Sequence, residues 1–387
     1  MSQDKFIKVV SSSTTGTLSS LPRDIVVVSR ETITGFTADT NSGLVKITSA
    51  EVAAFNTANP TKYGFKKALQ TAFAGTAQPN EIYLLSTGGV ALTSAMLDKA
   101  NYAPRSWSIL KMASQTNGLT DSATFIADCI VASAWATPDK HKIFEFSYSM
   151  ADGGTLPAAL LLGGALTTNK RTISVITNAH DSIDEYTDVY HDPILAALVF
   201  VLYGGSIARS IGSLSDAHDF ADVSGDTYSA TTRAYIAANS LAQYNGAKDQ
   251  GGSLFLYDTF MNDSVNPPTT SQLEAIIAED YIDDYVPVFV RNSLQAAGQT
   301  GVEASYKGIM QLYSLTNTAL NNLWQAGAIL TNSDGTPDYT LIVASLAVIN
   351  ALDPAWQTEG VIPVGSITGE IAPFRALHYV TIKFNYN

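Results

Sequence analysis

The chain has 387 residues, of which 46% are apolar and only 15% are charged, and its formal net charge is −13. This composition excludes a disordered chain, and the acidic balance argues against nucleic acid as a partner, because phosphate contacts need basic side chains. The length predicts two or three domains. The single cysteine, Cys129, excludes an internal disulfide and favours a reducing compartment. Met1–Val10 has no apolar core segment, so we expect no signal peptide. The longest apolar run, Ile194–Tyr203, is about half a membrane span, so we expect a buried element there and no membrane anchor.

Residues 1–24 are predicted to form a strand on a flexible tether. Lys5–Val10 is rich in β-prone residues, and Ser11–Ser20 consists almost entirely of Ser, Thr and Gly. The apolar positions of this strand are Phe6, Ile7, Val9 and Val10. The next predicted strand is Ile25–Ser29.

Between residues 50 and 205, predicted helices alternate with predicted strands. The helices are expected at Ala50–Asn56, Lys62–Ala74, Thr93–Asn101, Asp121–Ala134 and Leu156–Leu166. The strands are expected at Glu81–Ser86, Ser106–Lys111, Lys142–Ser147 and Arg171–Thr177. Strands separated by helical segments pair in parallel, with helices on the sheet faces, so residues 25–235 are predicted to form an α/β domain.

Residues 236–376 are predicted to form a second domain of mixed α+β type with two long helices. The expected elements are a helix at Ser229–Tyr244, a strand at Ser253–Asp258, long helices at Ser271–Gln295 and Ala304–Ala326, and strands at Tyr339–Ser345 and Val361–Ile367. In the second long helix, apolar residues recur at steps of three and four and predict one buried stripe. These residues are Tyr306, Ile309, Tyr313, Leu320, Leu323 and Trp324. Gly327 suits the C-terminal cap of this helix.

Residues 377–387 predict a strand with strict alternation of apolar and polar side chains. Its apolar positions are Val380, Ile382, Phe384 and Tyr386. A short strand is not stable alone, so we expect this strand and the one at Lys5–Val10 to pair with other copies of the chain.

The sequence predicts no catalytic site, no cofactor site and no metal site. Asp216, Asp219, Asp222 and Asp226 crowd one loop, but their spacing is not that of a calcium loop. The histidines, such as His180 and His191, lack the spacing of metal ligands. The paired glycines fit turns, and Cys129 is expected to be a buried apolar residue and not a nucleophile. We therefore expect the protein not to be an enzyme.

One acidic cluster stands out in the last third, where residues 236–387 hold 5 basic and 14 acidic side chains, a net charge of −9. Glu279, Asp280, Asp283 and Asp284 occupy one face of a predicted helix. The opposite face holds Tyr281, Ile282, Tyr285 and Phe289. Like charges at this spacing repel by a few tenths of a kcal/mol per pair. Two explanations stay open, which are a solvated face and a basic partner opposite it.

Four short segments in the last third, taken in order, resemble motifs of contractile-tail sheath proteins. Leu254–Phe260 resembles the strand and turn that open the shared C-terminal domain of these proteins, and Asp280–Ile282 lies on a helix of the kind that follows. Ser305–Ile309 resembles the motif that starts their second long helix, and Arg375–Ile382 resembles their closing strand.

The resemblance implies a structural subunit that polymerises with itself around a tail tube, as a helical assembly of stacked hexameric rings, and contracts to drive the tube through the host envelope. It implies a tube-facing domain at 236–376, an outer domain at 25–235, and arms at 1–24 and 377–387 that pair with neighbours. The implied partners are the tail tube, baseplate and tail terminator proteins. The implied place is the virion, after assembly in the cytoplasm of a bacterial host.

Two alternatives remain beside the sheath interpretation. An α/β enzyme acting on a small molecule would need polar side chains that converge at the carboxyl ends of the strands. Another virion component, such as a tube or capsid subunit, is the second alternative, although the long α/β region disfavours a tube subunit.

Overall fold

The computed structural model describes residues 24–74, 78–101, 107–113, 123–137, 142–150, 152–169, 171–177, 195, 229–239, 241–248, 254–257, 273–299 and 301–373. The chain divides into two compact units. We call the described residues from 24 to 273 the α/β unit, and those from 274 to 373 the C-terminal unit.

An eight-stranded mixed sheet forms the centre of the α/β unit. Its strands are β1 (Asp24–Ser29), β2 (Val45–Thr48), β3 (Glu81–Ser86), β4 (Trp107–Met112), β5 (Ile143–Ser149), β6 (Thr172–Thr177), β7 (Ala242–Lys248) and β8 (Leu254–Tyr257). They lie in the order β2-β3-β1-β4-β5-β6-β7-β8. The six central strands β3, β1, β4, β5, β6 and β7 are parallel. The two edge strands β2 and β8 are antiparallel to their neighbours. The predicted parallel α/β arrangement is confirmed.

The helices of this unit are α1 (Val52–Ala58), α2 (Tyr63–Ala74), α3 (Ser94–Ala100), α4 (Ala123–Trp135) and α5 (Ala230–Ala238). Side chains from α3, α4 and α5 share one core with Val26 and Val28 of β1. Ile25 and Val27, which alternate with them, are also fully buried, so both faces of β1 are covered, as expected for a parallel sheet. Cys129 of α4 lies in this core without exposure, which confirms its predicted place.

The C-terminal unit combines a long helix pair with a small sheet. Its elements are α6 (Leu273–Ala296), α7 (Tyr306–Gln325), β9 (Tyr339–Val343), α8 (Leu346–Leu352), α9 (Trp356–Glu359) and β10 (Ile367–Ile371). β9 and β10 form an antiparallel pair. Tyr281, Leu320 and Leu323 belong to one apolar cluster beneath this sheet, and Ile309, Ile349 and Trp356 form a second.

The second long helix begins and ends with local sequence signals. Ser305 caps its start, because the Ser305 hydroxyl accepts the N–H of Gly308. Gly327 follows its end with φ of 82°, a conformation that glycine adopts without strain. The N–H groups of Gly327 and Ala328 donate to the carbonyls of Trp324 and Leu323, which satisfies the last turn. The predicted cap is confirmed.

The prediction of a buried apolar stripe on α7 is correct for residues in the middle of the helix and wrong for the first residue of the stripe. Ile309, Leu320 and Leu323 are buried, whereas Tyr306 is 38% exposed. Tyr306 opens the helix and therefore lies at the edge of the packed surface.

Two predicted helices of the α/β unit are wrong in part. Leu156–Leu166 holds only a single 3-10 turn at Ala158–Leu160, because Gly163 adopts φ of 80° and breaks the helical path. The predicted helix Ser229–Tyr244 ends at Ala238, and the residues that follow enter β7.

The predicted strand Val361–Ile367 is shifted, and one domain boundary differs. β10 begins only at Ile367, because Gly365, with φ of 94°, belongs to the preceding turn. β7 and β8 complete the eight-stranded sheet, so the two compact units divide at 273/274 and not at 235/236. Residues 236–257 therefore belong with the α/β unit.

Candidate assembly surfaces

The carboxyl end of β1 is the place where an enzyme of this topology would bind its ligand. β1 lies between β3 and β4, at the point where the strand order reverses. Ligands of open α/β sheets bind at such a switch point. Here Arg30 Nε and Nη2 donate to the two Asp128 carboxylate oxygens at 2.6 and 2.7 Å. Asp128 also accepts the N–H of Leu92 at 3.0 Å. The Arg30 guanidinium, the Asp128 carboxylate and the Leu92 N–H therefore bind one another.

The N-terminus of α2 also binds a side chain of the chain itself. The Glu31 carboxylate accepts the N–H groups of Gly64 and Phe65, each at 3.0 Å. These are helix N-terminal groups of the kind that bind phosphate in nucleotide-binding folds. Burial raises the pKa of Glu31, and the two backbone N–H donors oppose that rise. The N-terminal N–H groups of this helix therefore bind a side chain of the chain itself, which disfavours a phosphate site at this helix.

The predicted acidic face lies on α6. Glu279, Asp283 and Asp284 are exposed and Asp280 is half-buried. On the other face, Tyr281 and Ile282 are 4% and 5% exposed. The rings of Tyr281 and Tyr285 stack with centroids 6.1 Å apart, and those of Tyr285 and Phe289 lie 5.7 Å apart. The two predicted faces are confirmed, because the aromatic ladder holds one face inward and leaves the carboxylates outward. The predicted tube contact stays a prediction.

The C-terminal unit has a charge opposite to that of the two terminal segments. Residues 274–373 hold eleven acidic and two basic side chains, a net charge of −9. From residue 308 to residue 374 there is no Lys, Arg or His. Residues 1–23 hold three basic and one acidic side chain, and residues 374–387 hold Arg375, Lys383 and no acidic side chain, so each segment carries +2.

The small sheet of the C-terminal unit is packed on one face only. Tyr339 and Leu341 pack against the helix pair, whereas Ile342, between Leu341 and Val343, is 62% exposed. Ile342 is paired with Thr368 in the ladder, and Thr368 is also exposed. Within the described ranges this sheet consists of β9 and β10. Two strands alone are of marginal stability, and their outer edges offer backbone groups to further strands.

Several predicted site residues lie outside the residues that the structure describes. These are the arm residues Phe6, Ile7, Val9, Val10, Val380, Ile382, Phe384 and Tyr386, the five histidines, and the four aspartates of the 216–226 loop. In the described ranges there is no group of three His, Cys, Asp or Glu side chains arranged to hold a metal ion. None of the helices in those same ranges combines the length and apolarity needed to cross a membrane.

The C-terminal unit also has an exposed apolar surface that was not predicted from the sequence. It consists of Leu346, Val348 and Leu352 on α8 with Val361 and Val364 in the following loop, and we call it the α8 patch. Its members are 40–65% exposed. These five exposed large apolar residues lie within 19 positions of the sequence. The only available signal was the run Ala344–Leu352, which combines apolar residues with no Asp, Glu, Lys or Arg.

No protein-family model and no curated protein matches the sequence. Solved structures do match. One is a chain of the six-fold symmetrised baseplate of the anti-feeding prophage, with a TM-score of 0.62 and 12% identity over 96% of this chain and 94% of that one. Another belongs to the contracted sheath complex of the extracellular contractile injection system PVC, with a TM-score of 0.58 and 10% identity over 98% and 97%. The sheath tail protein of Listeria innocua matches with a TM-score of 0.51 and 8% identity over 92% and 96%.

The fold is that of contractile-tail sheath proteins. The similarity extends over nearly the whole of each chain, so it includes both the α/β unit and the C-terminal unit. The resemblance predicted from the four sequence segments is confirmed at the level of fold. Because the sequence identities are only 8–12%, the match rests on similarity of structure and not of sequence.

Proposed function

We propose that this chain is the structural subunit of a contractile sheath. In this proposal the chain polymerises around a tail tube in stacked hexameric rings and contracts to drive the tube through the host envelope. The observation that carries it is the near-complete coverage in both directions by a chain of a baseplate, a chain of a contracted sheath complex and a sheath tail protein, at TM-scores of 0.51–0.62. The particle is a phage tail or a related tail-like device assembled in the bacterial cytoplasm, where the sheath meets baseplate and terminator proteins.

The arms at 1–24 and 377–387 link neighbouring subunits in this proposal. A strand that ends a chain segment satisfies its backbone groups by joining another sheet. The β9–β10 sheet supports this role, because it has only two strands in the described ranges and packs on one face. The charges also support it, since each terminal segment is +2 and the C-terminal unit is −9.

The C-terminal unit faces the tube in this proposal, and the α/β unit lies outside. The acidic face of α6, formed by Glu279, Asp280, Asp283 and Asp284, meets basic groups of the tube. Such contacts at the rim of an interface steer register and association more than they add affinity. They are also weak enough to be released when the sheath contracts.

The experiment removes the arms and measures folding and assembly separately. Deletion of Met1–Val10 or of His378–Asn387 is expected to leave the circular dichroism spectrum and the melting temperature close to those of the intact chain. The same deletions are expected to abolish sleeves in electron micrographs. Ile382→Pro should act likewise, because proline removes a ladder donor, and Ile382→Val serves as its matched control.

Three results would contradict the proposal. Truncated chains that still build sleeves of full length would show that the arms do not link subunits. Truncated chains that unfold would show that these strands belong to the core of their own subunit. An intact chain that stays a compact monomer with purified tubes present would contradict the sheath function itself.

A further inference from the structure

We draw no further inference here: the strongest candidate, the exposed apolar surface that the α8 patch forms in the C-terminal unit, carries none because nothing in the structure shows what covers it.

Discussion

Lys111 Nζ lies 2.8 Å from Glu145 Oε1, inside the α/β unit and across the parallel strands β4 and β5. The two residues are partners in the strand register, and their side chains are 2% and 0% exposed. Ser147 Oγ lies 3.5 Å from both charged groups. A charge at this depth is tolerated because its counter-charge is within hydrogen-bond distance.

Removing one member of this pair should lower the free energy of unfolding strongly, and removing both should change it little. Lys111→Met removes the ammonium group that lies 2.8 Å from the buried Glu145 carboxylate, so we expect the free energy of unfolding to fall by about 3–5 kcal/mol. Adding Glu145→Met should recover most of that loss, because apolar residues of similar volume replace a buried pair with little change. Urea unfolding at neutral pH measures both. A single variant as stable as the unaltered protein, or a double variant no better than the single one, would contradict this account.

Gly308 should tolerate no larger residue. A Cβ at this position would overlap the carbonyl oxygen of Glu303, at the point where the chain turns into α7. We expect Gly308→Ala to lower the stability of the C-terminal unit by about 1–3 kcal/mol. Gly301→Ala is the matched control, because nothing lies within 4 Å of its added Cβ. Thermal unfolding compares the two variants, and equal melting temperatures would refute the steric argument.

Glu31 should make the stability of the α/β unit depend on pH. Burial raises the pKa of Glu31 above its ordinary 4.5. The stability that this carboxyl contributes is therefore fully present below the unfolded-state pKa, and it is lost as the pH rises through the folded-state pKa. Glu31→Gln should remove this decline from plots of unfolding free energy against pH. Identical plots for the variant and the unaltered chain would show that Glu31 titrates normally.

Glu51 provides a control of opposite sign. Its pKa is lowered, first by the hydrogen bond from the Thr48 N–H and then by that from the Thr48 hydroxyl. Its contribution to stability is therefore present above the unfolded-state pKa and lost as the pH falls through the folded-state pKa. Glu51→Gln should remove the loss of unfolding free energy as the pH falls. It should leave unchanged the decline with rising pH that Glu31 causes.

Reversing charge on α6 should change how fast tubes are decorated. With Asp280→Lys and Asp283→Lys, we expect slower association with tubes and a weaker dependence of its rate on salt, because rim charges act on the encounter. Glu303→Lys is the control, since Glu303 is exposed and outside the cluster. Stopped-flow light scattering measures the rates. If rate and salt dependence stay the same in the double variant, α6 does not face the tube.

Local patterns predicted the elements that depend on local physics. β3 has its predicted bounds, Glu81–Ser86, because its apolar run is flanked by turn residues on both sides. The recurrence of apolar residues at steps of three and four predicted the buried side of α7, on which Ile309, Leu320 and Leu323 lie. The two faces of α6 followed from the same periodicity. Each of these signals is a property of neighbouring residues in one helix or strand.

Elements that depend on distant partners escaped prediction. β7, Ala242–Lys248, contains Asn245 and Gly246, which are unfavourable in strands, and it forms because β6 and β8 pair with it on both sides. β2 is only four residues long and depends on its pairing with β3. The α8 patch escaped for a related reason. Ile349 and Val348 are adjacent apolar residues, and only the tertiary packing determines that one is buried and the other exposed.

The most direct test of the central claim is a helical cryo-EM reconstruction of the particle that contains this chain. The sheath account predicts that the chain repeats as an outer sleeve around a tube, with the C-terminal unit on the inner side and the α/β unit on the outer side. A reconstruction that places the chain in the tube wall or in a capsid would contradict that account.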